Sequence, residues 1–118
     1  MECSPIRIRR SRKEKQVSPN GLPIVYVGRP TKFGNPFKKR EPVNTYRLSQ
    51  LDHDDFLYYC EGRKISSNFI SVDLFEKYVL TDKFKETVKA ELKGKNLSCW
   101  CKENDICHAD TLLKIANS

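Results

Sequence analysis

Cys99, Cys101, Cys107 and His108 fall within ten residues of one another, and Asp110 follows two positions on. Thiolate and imidazole are the side chains that hold transition metals, and three sulfurs with one nitrogen complete a tetrahedral zinc set. A zinc site is therefore one reading of Cys99, Cys101, Cys107 and His108. Two details weigh against it. The usual knuckle has about two to four residues between its cysteines, whereas Trp100 alone separates Cys99 from Cys101. Cys107 and His108 are chain neighbours, an awkward arrangement for two ligands of one ion. A set of three would leave a coordination position open.

A second reading is an activated thiol. Cys107 or His108 stands where the last helix should begin, and helix N-terminal N–H groups stabilise a thiolate or attract an anion. Cys107 would then be the nucleophile, His108 a general acid or base, and Asp110 the residue that orients a substrate or caps backbone donors. A third reading is inert: Cys99 and Cys101 fill the core while His108 and Asp110 complete a helix start. The residues leave all three open.

The elements around this cluster follow from patterning. Ile6-Arg7-Ile8-Arg9 alternates as a short half-exposed strand does, and Pro19-Asn20-Gly21 marks a turn. Ile24–Val27, closed by Gly28, reads as the clearest buried strand. Tyr46 to Gly62 carries Leu48, Leu51, Phe56 and Tyr59 at loose helical spacing, with Gly62 as the residue past its end. Ser71 is expected to cap a helix over Val72–Leu80. Thr81 caps another, whose stripe Leu80, Phe84, Val88 and Leu92 recurs every fourth residue and which Gly94 ends. Asn96–Cys101 reads as a strand and Lys102–Ile106 as a turn. A final helix starts at Cys107 or His108, with Ala109, Leu112, Leu113 and Ala116 on one face. Strands alternating with helices indicate an α/β fold, a small single domain over 1–118. The expected architecture is a Rossmann-like two-layer or three-layer sheet with flanking helices. Residues 1–20 form a basic N-terminal strand and loop, expected to be partly mobile.

The stretch GRPTKFGNPF, 28–37, follows the second strand. Arg29 and Asn35 each precede a proline, which biases both away from helix. Open α/β sheets bind ligands in loops beyond the carboxyl ends of their strands. Arg29 and Lys32 could hold a phosphate there, Phe33 could stack on a base, and Gly34 and Asn35 could shape the turn. The alternative is a packed loop whose phenylalanines join the core, because neither a P-loop nor a GxGxxG pattern is present.

Charge supports a polyanionic partner. Residues 1–40 hold eleven Lys or Arg against two acids, so all of the net charge of +7 lies in the first third of the chain. Arg9 and Arg10 are the candidates there for phosphate contacts. Five cysteines in 118 residues, an odd number with three clustered, do not make a secreted disulfide framework. Cys60, after FLYY, reads as a small core residue. The start, MECSPIRIRRSRKEK, lacks a signal-type apolar segment, and no apolar run approaches a membrane span. A cytoplasmic protein, or one inside a virus-infected host cell, is expected.

Three blocks together, IRIRRSRKEK, VYVGRPTKFGNPF and LKGKNLSCWCKENDICHADTLLKIAN, resemble the domain of unknown function 4326 family of phages and bacteria. That family pairs a basic R-I-x-R-x-R strand with a Y-V-G-R-P-x-x-W-G-N-P-F loop, then C-W-C and C-H-x-D before a short apolar helix. The resemblance implies a small α/β domain and places Arg29, Gly34, Asn35, Pro36, Cys99, Cys101, Cys107, His108 and Asp110 at signature positions. Phe33 stands where the family commonly has Trp. The Cys-x5-Cys-His ending is also similar to the domain of unknown function 488 family, where a single cysteine replaces the pair. That likeness implies that Cys99 or Cys101 is dispensable, which counts against a four-ligand metal site.

The expected protein binds a nucleotide or nucleic acid between the 28–37 loop and the 99–110 segment, and could process it through Cys107, His108 and Asp110. The rival from another class is a non-catalytic, zinc-stabilised nucleic-acid-binding module.

Overall fold

The computed structural model describes residues 4–10, 18–29, 31–101 and 105–118. Residues 1–3 and 11–17 of the basic arm, with Cys3 among them, and 102–104 of the expected last turn lie outside the described residues. Three strands, β1 (Arg7–Arg9), β2 (Ile24–Tyr26) and β3 (Asn96–Cys99), form a parallel sheet in the order β1-β3-β2. Arg7 pairs with Leu97 on one side of β3, and Val25 pairs with Leu97 on the other. All three carboxyl ends therefore point the same way. No helix among the described residues is long and apolar enough to cross a membrane.

Five helices follow the loops: α1 (Thr45–Leu48), α2 (His53–Tyr59), α3 (Asn68–Tyr78), α4 (Asp82–Leu92) and α5 (His108–Ala116). The first four start at side chains that accept a backbone N–H, those of Asn44, Asp52, Ser67 and Thr81. The α5 stripe is as expected: Ala109, Leu112 and Ala116 are buried against β3 and α4. Val88 and Leu92 of α4 meet them, with Phe75 of α3, Leu97 and Cys99 completing the main core. A second core gathers Phe37, Val43, Tyr59, Ile65 and Leu74, with Ile70 and Tyr78 packed on it. Helix α3 serves both cores, which is why its apolar residues do not form one stripe.

Several local expectations change. Residues 46–62 are two helices, because Asp52 accepts from the Asp55 amide and starts a new helix instead of continuing the old one. Gly62 turns the chain with φ +85°, two residues after the cap of α2. Ser67, four residues before Ser71, caps α3. Ser71 lies inside the helix, buried, its hydroxyl donating to the Phe37 carbonyl. Cys60 is exposed at the end of α2 and takes no part in either core.

The fully buried strand is β3, whose four residues are all enclosed; β2 is a half-buried edge. It also ends at Cys99, so Trp100 and Cys101 belong to the turn beyond it. The amino end of β3 is held by amides. Asn96 accepts from the Ile6 N–H and pairs with the Asn20 side chain, which fixes the Pro19-Asn20-Gly21 turn against the sheet.

Candidate functional site: a thiol-bearing cleft at the strand ends

The carboxyl ends of β2 and β3 open into a cleft of about 300 Å³. One wall is the loop after β2, contributing Gly28, Arg29, Asn35, Phe37 and Lys39. The other is the turn between β3 and α5, contributing Cys99, Trp100, Cys101, Ile106, Cys107 and His108, with Asn68 and Ser71 of α3 between them.

Local bonds shape the first wall. The Thr31 amide and hydroxyl both donate to the Gly28 carbonyl, and the Gly34 amide donates to Thr31. The Tyr26 hydroxyl donates to the Arg29 carbonyl at 2.8 Å, tying the loop to its strand. A Cβ at Gly34 would stand 3.0 Å from the Arg29 backbone, so glycine lets the loop double back on Arg29. Asn35 is buried. Its amide nitrogen donates to the Ser71 carbonyl and hydroxyl, and its oxygen accepts from the Phe37 amide. Bridges from Lys39 to Ile65 and from Pro42 to Lys64 carry the chain away from the cleft.

On the second wall, Cys99 and Cys101 stand two residues apart at the strand end, and the turn returns Cys107 to them. Cys99 and Cys107 place their sulfurs 3.3 Å apart, and the sulfurs of Cys99, Cys101 and Cys107 all lie within 4.8 Å of one another. Cys107 precedes α5 without making a side-chain capping bond, so its sulfur is turned to the other two. Hydrogen bonds from Cys101 and Cys99 push the Cys107 thiol far below its ordinary range against the opposing effect of burial, and His108 and the Ala109 amide add to this. Hydrogen bonding to Cys107 and Cys99, together with burial, pushes Cys101 up.

His108 is held from the other side. Its Nε2 lies 2.9 Å from the Val27 carbonyl oxygen, which can only accept, so Nε2 carries the proton. Its Nδ1 faces the Cys107 sulfur at 3.8 Å, and its ring meets Phe75 edge-on. Arg7 reaches Cys107 from β1. Its guanidinium also donates to the Asp105 carbonyl and pairs with Asp110 at 3.3 Å. Burial raises the Asp110 carboxyl and Arg7 draws it back down.

The cleft therefore unites Arg29, Asn35, Cys99, Cys101, Cys107 and His108 from the residues singled out in the sequence. It does not unite the others. Lys32 pairs with Glu91 of α4 at its own side of the molecule. Phe33 is buried in the main core, its ring 6.0 Å from that of Phe84, so it offers no face for stacking. Gly34 supports Arg29 from behind. Arg9 is exposed at the end of β1 and is not among the cleft residues.

Arg10 sits at the rim. Its amide donates to the Cys99 carbonyl and its guanidinium lies over Tyr26 and Trp100, at 4.5 and 5.6 Å from the ring centres. Asp110 turns toward Arg7 and a shallow depression shared with Glu76, Lys89 and Lys114, away from the cleft. The sequence reading missed Tyr26, Lys39, Asn68, Ser71 and Val72 as lining residues, and Arg7 as the partner of Cys107, while Trp100 and Ile106 lie within the 99–110 segment it chose as a wall. The alternation of Ile6-Arg7-Ile8-Arg9 pointed the other way for Arg7, whose side chain is only 11% exposed while Ile6 is exposed.

The fold and cleft define a small open-sheet α/β protein with its clustered thiols at the carboxyl ends of parallel strands, where such sheets form their ligand crevices. Three clustered thiols of this geometry could hold a metal ion. The chain belongs to the family described as domain of unknown function (DUF4326), whose model matches residues 6–118. Neither the curated proteins nor the solved structures include a match to it.

Proposed function

We propose that the cleft binds a phosphate-bearing nucleotide unit, either a free nucleotide or the end of a nucleic-acid strand. The observation that carries this reading is the meeting of the two walls, about seventy residues apart in sequence, at the carboxyl edge of a parallel sheet. Each wall brings a different recognition chemistry. Arg29 and Lys39 supply cations on one side, and Trp100, 47% exposed, supplies an aromatic face on the other. Asn68 adds a polar group for sugar or base edges. The volume sits at the low end of the ~300–1,000 Å³ of small-molecule sites, which suits one nucleotide and excludes a duplex. The basic first third of the chain would add phosphate contacts outside the cleft when the ligand is a strand.

Trp100 is the sole tryptophan, so its fluorescence reports directly on the cleft. Titration with nucleoside mono-, di- and triphosphates, and separately with a short single-stranded oligonucleotide, should quench or shift that emission. Arg29→Ala and Lys39→Ala should each weaken the response about tenfold or more, while Arg63→Ala should not. A strand ligand predicts a steep fall of affinity with salt, a single nucleotide a shallow one. Saturating concentrations that leave Trp100 emission unchanged would refute the reading.

A further inference from the structure

We infer that Cys99, Cys101 and Cys107 form a three-thiolate site for one zinc-type cation, with the fourth coordination position opening into the cleft. This inference stands apart from the nucleotide reading and does not depend on it. Four ligands around zinc at about 2.3 Å put neighbouring sulfurs roughly 3.8 Å apart. The three sulfurs, all within 4.8 Å of one another and with those of Cys99 and Cys107 3.3 Å apart, already gather in that space. Cys99 ends the buried strand β3 and Cys107 precedes α5, both almost fully enclosed, while Cys101 stands two residues beyond Cys99 in the turn.

The surroundings favour three ligands over four. His108 stands beside the site, its Nδ1 3.8 Å from the Cys107 sulfur, but its atoms fall outside the group of mutually close ligand atoms, and the Val27 carbonyl holds its ring through Nε2. No carboxylate is among the described residues lining the cleft, and Cys60 is exposed at the end of α2. All three cysteines do line the cleft, so whatever completes the tetrahedron enters through it: water, or a donor atom of a bound ligand.

Three thiolates and a dication carry a net charge of −1. Arg7 compensates it, because its guanidinium lies against Cys107 with the side chain only 11% exposed. The sulfur-rich set selects zinc, iron or copper(I) over magnesium or calcium. This arrangement also gives Cys107 a ligand's role in place of a nucleophile's.

Reduced, chelator-treated protein titrated with zinc against a chromophoric chelator should take up one equivalent. Cys99→Ser, Cys101→Ser and Cys107→Ser should each lower zinc affinity at least about tenfold, whereas His108→Ala and Cys60→Ser should retain the full equivalent. X-ray absorption on the wild-type zinc protein should count three sulfurs and one lighter atom, a measurement that needs no variant to fold. Cobalt-substituted protein should change its visible spectrum when imidazole is added, because an open position exchanges its ligand.

Zinc uptake below a tenth of an equivalent would overturn the site. A four-sulfur shell, a loss in His108→Ala equal to that in Cys107→Ser, or a cobalt spectrum indifferent to imidazole would overturn the open position. Arg29→Ala separates the two proposals, since it should abolish the nucleotide response and leave zinc binding intact.

Discussion

His108 Nε2 lies 2.9 Å from the carbonyl oxygen of Val27, so the first residue of α5 is fastened to the residue that follows β2. This bond crosses between the two walls of the cleft. His108→Ala leaves the buried Val27 carbonyl without its donor, and the expected loss is about 1–3 kcal/mol of stability. Urea denaturation of the reduced protein checks it. A loss below a few tenths would mean the bond contributes nothing to holding the walls together.

Asn35→Ala should destabilise the protein by about 2–3 kcal/mol with no ligand present, because the Phe37 amide and the Ser71 groups lose their partner in a buried place. Thermal unfolding in ligand-free buffer measures this. An unchanged melting temperature would show that the loop does not need Asn35 to hold its shape.

Phe33→Ala should cost about 3–5 kcal/mol through the cavity it leaves beside Phe75 and Phe84. Lys32→Ala removes one exposed ion pair with Glu91 and should cost under about 1 kcal/mol. Denaturant midpoints of the two variants, measured side by side, should therefore differ widely. Near-equal midpoints would contradict the core placement of Phe33.

Arg7→Met keeps an unbranched apolar stem while removing the bonds to Asp105, Asp110 and Cys107. The segment 105–110 should loosen, seen as faster hydrogen exchange at the amides of Ala109 to Thr111, with a loss of about 1.5–3 kcal/mol for buried charged hydrogen bonds. Asp110→Asn, which alters an exposed partner, should have a smaller effect. The reverse order would assign the fastening to Asp110.

Lys77 of α3 pairs with Asp52 and Asp55 of α2, at 2.6 and 2.8 Å. The hydrogen bond from Lys77 lowers the Asp52 carboxyl below its ordinary range. A carboxyl depressed in the folded state stabilises the fold above its unfolded pKa of about 3.9, and that contribution fades as pH falls through the lower folded value. Wild type should therefore exceed Lys77→Met in stability at pH 6, and the gap should close toward pH 2. A gap independent of pH would exclude the linkage.

Local signals proved legible where one short-range interaction decides the structure. Thr81 capping α4, the four-residue stripe of that helix and the apolar face of α5 all depend on neighbours within a turn or two. Ser71 misled because Ser67 and Ser71 are equally good caps in isolation. Only the distant Phe37 carbonyl and Asn35 amide draw Ser71 inside. Residues 46–62 misled for a similar reason: the apolar spacing continues across Asp52, while its side chain prefers the Asp55 amide.

The same division holds at the candidate site. Residue types and chain order alone determined the α/β class, the family, the late thiol cluster and the concentration of positive charge in the first third. Tertiary structure decided which of those groups meet. Parallel pairing brings the ends of β2 and β3 side by side, so Arg29 and Cys107 face one cleft. The same packing draws Phe33 into the core and turns Asp110 toward Arg7, away from His108's side of the helix start. Spacing along a chain fixes what is near within a helical turn or across a pleat; contacts between distant segments depend on strand register and on which face the core buries.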